Sequence, residues 1–357
     1  MQLEQLVING VRNITCVQLD CGYSTNIITG KIAAGKTAIL ESIYLLSRAT
    51  SFRTPRLNDV VQHGKQGFSV STRLQINGTE NQAGIEKNRS GTQIRFNGSR
   101  VRRRSEQALN IPVIAYTAET SKLLYDIPRE RRHWLDWSMF HVEPDYMDVW
   151  RTYHHALRQR NTLLRANIVN EDQYQPWEKV MAETAFWLNL ARNEYLAKIN
   201  DEVNKNTRQL LGESTIRMSG IHGEKGVLRK QLEQQRTNDR RAGHTREGPH
   251  RHDVCFQLNG YPAGKTLSRG EGKQFLLFLL IAQARVLVHT RKQYPIVLID
   301  DLPAELDRGT CSRVFNLLAR QPGQIFVTAI DEDQLTPETG TTKRFHVEHG
   351  KLAKLVK

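Results

Sequence analysis

The sequence predicts an α/β domain interrupted by a long, mostly α-helical insertion. Three observations carry this expectation. Near the N-terminus a β-rich run ends in a glycine-rich turn and passes into an amphipathic helix. Over residues 130–235 the pattern becomes helical, with few prolines. After Gly260 strand and helix patterns alternate again. Both ends of the chain therefore read as one domain, residues 1–125 and 246–357, with residues 126–245 as an inserted arm.

The elements follow in order. Residues 3–8 are apolar with interruptions and read as a strand. Thr25–Thr29 is β-rich and stops at Gly30. From Lys36 a helical pattern places Ile39, Leu40, Ile43 and Leu46 on one face. Residues 68–100 are β-like, punctuated by Asn77-Gly78 and Asn97-Gly98, which are hairpin-turn pairs. In the insertion Trp134, Trp137, Tyr153 and Trp177 recur at helical spacings and read as core packing. Residues 225–245 are polar and basic and read as a loop or frayed helix end. The C-terminal part predicts a helix over 271–289, a strand over 296–299, a helix over 308–318 and a strand over 324–329.

Composition narrows the function classes. With 357 residues the chain is long enough for two cores. Lys and Arg outnumber Asp and Glu by 51 to 37, a formal charge of +14. That surplus suggests a polyanionic partner, nucleic acid before an anionic membrane. The longest apolar run, residues 275–282, is shorter than the roughly 18 residues of a membrane span, so no membrane partner is expected. The first residues lack the basic and apolar regions of a signal peptide. Cys16, Cys21, Cys255 and Cys311 have no zinc or redox spacing and read as reduced thiols, in keeping with a cytoplasmic location.

Three motifs carry chemistry. Gly30-Lys31-Ile32-Ala33-Ala34-Gly35-Lys36-Thr37 matches G-x-x-x-x-G-K-[ST] between a strand and a helix. Backbone N–H groups of such a loop and the helix N-terminus cradle a β-phosphate. Lys36 then reaches the β/γ oxygens of ATP, and the Thr37 hydroxyl ligates Mg²⁺. Ile296-Val297-Leu298-Ile299-Asp300-Asp301 is a buried-strand run that delivers two acids to a sheet edge. In the functional reading Asp300 holds Mg²⁺ through water and Asp301 polarises the attacking water; otherwise the strand simply ends in two turn acids. Leu267-Ser268-Arg269-Gly270-Glu271 opens the most apolar helix, with Ser268 as N-cap and Gly270 allowing a phosphate close to the backbone. Its bland reading is an ordinary helix cap.

The order of these motifs is similar to that of the ABC-type P-loop ATPase heads. Asp307, in Ala304-Glu305-Leu306-Asp307, resembles the D-loop of that class. Further strings resemble the RecF family of bacterial recombination mediators. These are Val11-Arg12-Asn13-Ile14, Ser51-Phe52-Arg53-Thr54, the run Pro128 to Trp137 with Arg131-Arg132, the run Leu157 to Leu164 with Gln159-Arg160-Asn161, and Gly248-Pro249-His250-Arg251-His252-Asp253. The similarity runs the whole length. The chain departs from the family pattern at Val11, Ala118 and Ile127, and within the phosphate loop, where Ile32 and Ala33 replace Asn and Gly.

The resemblance implies an ATP-binding head that dimerises head to tail, with Ser268 and Gly270 completing the partner's site. It implies a clamp on double-stranded DNA near single-strand gaps, in repair, replication restart and the SOS response to DNA damage. There it assists RecR and RecO in loading RecA, with weak DNA-stimulated ATP hydrolysis. For DNA contact the sequence offers Lys87, Arg89, Arg95, Arg100, Arg102, Arg103 and Arg104 in a stretch without acids. With only Phe96 interleaved, this reads as phosphate contact without base stacking, or as a solvated charged loop. Arg131 and Arg132 either pair with acids in the arm or meet phosphate. Residues 248–253 read as a structural turn near the head, with His250 as a group supporting the site. The competing function is a DNA-binding module whose ATP site, changed at Ile32 and Ala33, is weakened and largely non-catalytic.

Overall fold

Alternating apolar residues commit the N-terminal third of the chain to sheet. In the computed structural model, which describes residues 1–125, 128–219, 226–321, 323–331, 333, 335–336 and 340–353, β1 (Gln2–Val11) and β2 (Ile14–Asp20) pair antiparallel, with Leu6 opposite Leu19. Ile127 and Lys225 lie outside the described residues. β3 (Thr25–Thr29) is buried along its whole length and leads through residues 30–35 into α1 (Lys36–Arg48). Then come β4 (Phe68–Ile76), β5 (Thr79–Asn88), β6 (Gly91–Phe96), β7 (Ser99–Arg100), α2 (Arg104–Asn110) and β8 (Val113–Tyr116). Both residues of Asn77-Gly78 and of Asn97-Gly98 have positive φ, as a two-residue hairpin turn requires.

A second unit, residues 122–266, follows in the chain. It contains α3 (Lys122–Tyr125), α4 (Pro128–Val142), α5 (Tyr146–Arg165), α6 (Gln175–Leu210), β9 (Ser214–Met218), α7 (Val227–Ala242), β10 (Val254–Leu258), β11 (Tyr261–Pro262) and α8 (Ala263–Thr266). The first unit then resumes with α9 (Arg269–Arg291), β12 (Ile296–Ile299), α10 (Arg308–Ala319), β13 (Gln324–Ala329), β14 (Thr342–Glu348) and β15 (Lys351–Ala353).

The first unit has two six-stranded sheets. One is antiparallel, in the order β2-β1-β4-β5-β6-β7. The other runs β15-β14-β3-β13-β12-β8, parallel except for β15. Helix α1 packs against β1, β4 and β5 of the first sheet and against β8 and β13 of the second. Being covered from both sides, it buries nine of its 13 residues rather than a single stripe. In the parallel sheet Ile299 pairs with Val327 and with Tyr116, and Thr29 pairs with Ala329. Gly30, Asp300, Thr117 and Ile330 therefore leave the sheet at one edge, where ligands of such sheets bind. Helix α9 is long and apolar enough to cross a membrane by length and composition, but 89% of its apolar window is buried in the protein, as befits a core helix.

The inserted unit differs from expectation in two ways. Residues 246–266, assigned to the head from the sequence, belong to it, because β10 pairs along its whole length with β9 in the three-stranded sheet β11-β10-β9. Residues 225–245, read as a loop, contain the 16-residue helix α7. Its charges are not all solvated. Arg236 bonds Glu178, Asp239 accepts from Arg160 at 2.8 Å, and Arg160, Glu178 and Asp239 are fully buried. Neutralised pairs of this kind let a polar helix enter a core. Of the aromatic residues, Tyr153 is buried, and Trp134 meets Phe256 edge-on at 5.8 Å.

Candidate nucleotide site

The loop between β3 and α1 follows from its neighbours. A Cβ at Gly30 would run into the carbonyl oxygen of Val347, so the close approach of β14 requires glycine there. Gly30 and Gly35 have φ of 145° and 119°, and Ala33 also lies in the left-handed region, at φ 64°. The carbonyl oxygens are held from outside. The Asn13 amide donates to that of Ala33 at 2.9 Å, and Gly350 N–H to that of Ala34 at 2.8 Å. Among the described residues no acceptor takes the N–H of Gly35, Lys36 or Thr37. These are the donors that a helix N-terminus offers to an anion. Ile32 is 84% exposed, its side chain in solvent.

The charged groups converge on this loop. Lys36 Nζ donates to the carbonyls of Gly30 at 2.5 Å and Lys31 at 2.9 Å. Burial holds its ammonium below the ordinary lysine range, opposed by the nearby Asp301 and Asp300. Thr37 Oγ1 donates to both carboxylate oxygens of Asp300, at 3.0 and 3.1 Å. Thr328 Oγ1 donates to Asp300 at 2.9 Å and accepts the N–H of Asp301 at 2.7 Å. Burial raises the Asp300 carboxyl above its ordinary range, against the bonds from Thr328 and Thr37. Asp301 is exposed and sits at φ 51°.

Ser268, Gly270 and Asp307 stand apart from this group: no hydrogen bond or ion pair among the described residues joins them to residues 30–37. Ser268 caps α9 in a reciprocal box with Glu271, and exposed Asp307 caps α10 through Thr310 N–H. A Cβ at Gly270 would come within 2.9 Å of the Glu305 carbonyl, which fixes glycine at this position.

Sequence reasoning missed several residues here. Lys273, one turn into α9 and 5% exposed, donates to the carbonyls of Asp301 at 2.8 Å and Ala304 at 2.6 Å. Its signal was a lysine two residues ahead of the longest apolar run, 275–282. Thr328 was visible only as a hydroxyl within a buried strand. Glu41, fully buried on α1, takes two bonds from Arg12, at 2.9 and 2.7 Å, and one from Ser51, with Arg53 at 4.0 Å. The strings around Arg12 and Ser51 thus meet on one buried acid.

The basic stretch divides. Arg100, Arg102 and Arg104 line a 610 Å³ concavity with Thr92, Ile94 and Val101. Lys87 and Arg89 line another, of 440 Å³, beside Lys65. Arg95 faces Arg100 across the β6–β7 pair, a like-charge contact. Arg89, Arg95, Arg100, Arg102, Arg103 and Arg104 are exposed, and among the described residues none has an acid partner. In the inserted unit Arg131 forms a two-pronged pair with Asp253 at 2.8 and 2.7 Å, and Arg132 donates to the His252 carbonyl. His250 is placed by the inserted unit itself, against Tyr153 Oη at 2.7 Å and the Thr245 carbonyl at 3.2 Å. Its neighbour Gly248 admits that tyrosine where a Cβ would collide with the hydroxyl. Among the described residues no cluster of three or more His, Cys, Asp or Glu forms a metal site, and the four cysteines are free thiols.

Comparison with known proteins agrees with this geometry. The RecF/RecN/SMC N terminal domain family matches residues 2–352. The DNA replication and repair protein RecF of Nitrosococcus oceani is 33% identical over 365 residues, with 100% of each chain covered. That of Shewanella woodyi is 34% identical over 357 residues, covering 98% of this chain and 97% of its own. The solved recombination mediator protein RecF-ATP of the RecFOR pathway superposes with a TM-score of 0.85 at 24% identity, covering 99% and 98% of the two chains. An Smc head bound to the C-winged helix domain of ScpA superposes at 0.57 with 16% identity, covering 99% and 97%. The fold is that of an ABC-type ATPase head with an inserted helical unit, and the chain belongs to the RecF family.

Proposed function

We propose that this chain is an ATP-dependent DNA-binding protein of recombinational repair and replication restart, acting in the cytoplasm as an ATP-driven dimer. One observation carries the reading: Lys36, Thr37 and Asp300 meet beside the open N–H groups of the loop, at the edge of a parallel sheet. A β-phosphate takes the N–H groups of Gly35, Lys36 and Thr37. Lys36 then exchanges two carbonyl acceptors for phosphate oxygens.

The Thr37 hydroxyl and Asp300 carboxylate are a hard-oxygen pair, the donor type that suits Mg²⁺, and these two residues would hold it. Bound there with ATP, Mg²⁺ supplies neutralisation of charge on the β/γ oxygens. Asp301, exposed at the same edge, orients the attacking water, and Lys36 stabilises the charge on the transferred phosphate. Ser268, Gly270 and Asp307, exposed or half-exposed and apart from the loop, complete the site of a second copy. Lys87, Arg89, Arg100, Arg102, Arg103 and Arg104 contact the phosphates of duplex and gapped DNA. The RecFOR pathway named for the solved relative supports RecR and RecO as partners, and the resemblance to the RecF family adds RecA as the protein loaded. Ala33 keeps the left-handed conformation, which supports a working loop over a decayed one.

The test is an ATP titration with and without Mg²⁺ on the parent and on Lys36→Ala. The variant loses the loop's point charge and should lose tight binding. Equal affinities would remove the assignment.

A further inference from the structure

Residue 33 sits where an L side chain is strained. At φ 64° its Cβ costs on the order of 1–2 kcal/mol that glycine would not incur. Something must hold it there. The 33–34 peptide is bonded on both sides: Ala34 N–H donates to the Lys31 carbonyl at 3.1 Å, and the Ala33 carbonyl accepts from Asn13 Nδ2 at 2.9 Å. The first bond lies within the loop. The second comes from the turn between β1 and β2 and is the loop's side-chain support from outside.

That turn is itself anchored. Arg12, at φ 53°, is fixed by its two-pronged bond to buried Glu41 of α1 and by a bond to the Asp59 carbonyl at 2.6 Å. Gly350, whose missing side chain admits the Asn13 carbonyl, holds the next loop carbonyl, that of Ala34. In a trans peptide the N–H points away from its C=O. Tying the Ala34 carbonyl outward therefore turns the Gly35 N–H the other way, toward the phosphate position, while tying the Ala33 carbonyl turns the Ala34 N–H back to the Lys31 carbonyl and fixes the plane that sets residue 33.

We propose that Asn13 is a positioning residue for the phosphate loop, latching Ala33 in its left-handed conformation through the carbonyl. This rests on the ATP reading above and deepens it. The latch matters in this chain because alanine, not glycine, occupies position 33.

The experiment is a double-mutant cycle of Asn13→Ala and Ala33→Gly. It is read by ATP·Mg²⁺ calorimetry and by amide hydrogen exchange of residues 31–35 without nucleotide. Asn13 is exposed, so its replacement should leave the fold standing. Asn13→Asp, similar in shape but without the donor, gives a second variant. In the parent background Asn13→Ala should weaken ATP by about five-fold and speed exchange in the loop, but not in α1, by a similar factor. In the Ala33→Gly background both effects should shrink to less than about two-fold. The same loss in both backgrounds, or no change in exchange, would overturn the latch. Exchange is read without ATP, so a parent that fails to bind ATP refutes the functional reading and leaves this test intact.

Discussion

Lys273 offers the most direct separation of ATP binding from ATP hydrolysis. Its ammonium joins α9, the helix capped by Ser268, to the loop that follows β12, through the carbonyls of Asp301 and Ala304. That loop contains two non-glycine residues at positive φ, Asp301 at 51° and Glu305 at 64°. Each costs about 1–2 kcal/mol. Two charge-assisted bonds of about 1.5–3 kcal/mol each oppose this, reduced by the desolvation of a buried ammonium. Burial indeed holds the Lys273 ammonium below its ordinary range. The bonds exceed the strain by about 1.5 kcal/mol before desolvation, which leaves a net gain of about 1 kcal/mol, enough to hold the loop and no more. Lys273→Met keeps an apolar stem beside the Tyr116 ring, whose centroid is 5.5 Å from Nζ, and removes the donors. The loop should relax and Asp301 should leave its position. If all of that roughly 1 kcal/mol appears in the barrier, kcat falls about five-fold. Neither Lys36 nor Thr37 bonds Lys273, so ATP affinity should stay within about two-fold. Steady-state hydrolysis and calorimetry on the same preparation measure both. An unchanged kcat, or affinity falling in step with kcat, refutes the assignment of Lys273 to the hydrolytic loop.

Three other outcomes are expected. Ser268→Arg should leave ATP binding by the monomer intact and abolish ATP-dependent dimerisation; sedimentation with ATP that still shows dimer contradicts the two-copy site. Replacing Arg100, Arg102, Arg103 and Arg104 by Ala should weaken binding to all DNA sequences alike and flatten log K against log salt by up to about 0.9 per lost phosphate contact. An unchanged slope makes the cluster a solvated loop. Burial pushes the His250 imidazole down to about 3 from an ordinary 6.5. The unfolded chain thus binds the proton first as pH falls, so the stability His250 contributes is complete above about 6.5 and is lost on the way down to about 3. Urea midpoints between about pH 7 and about pH 4 should fall less steeply in His250→Gln than in the parent, and parallel slopes would mean that another group titrates.

How much of this was legible in the sequence depends on whether the information is local. β3, β12 and β13 read correctly because parallel strands buried on both faces appear as continuous apolar runs. β9 was hidden: it lies between helices, and its partner β10 comes far later in the chain, beyond α7. α7 was hidden because buried ion pairs stabilise it, and composition counts such charges as solvated. The site divides in the same way. Lys36, Thr37 and Asp300 sit in strings whose spacing states their role. Thr328, Lys273 and Asn13 acquire theirs only from strand register and from turns that meet in space. Position 33 joins the two kinds of information. The sequence marks it as the place where the loop departs from the family's glycine. The left-handed φ makes that departure a strained one, and the carbonyl bond from Asn13 is the restraint that opposes the strain. A motif read alone therefore overstates the harm of such a departure, because the backbone geometry it encodes can be held by residues outside the motif.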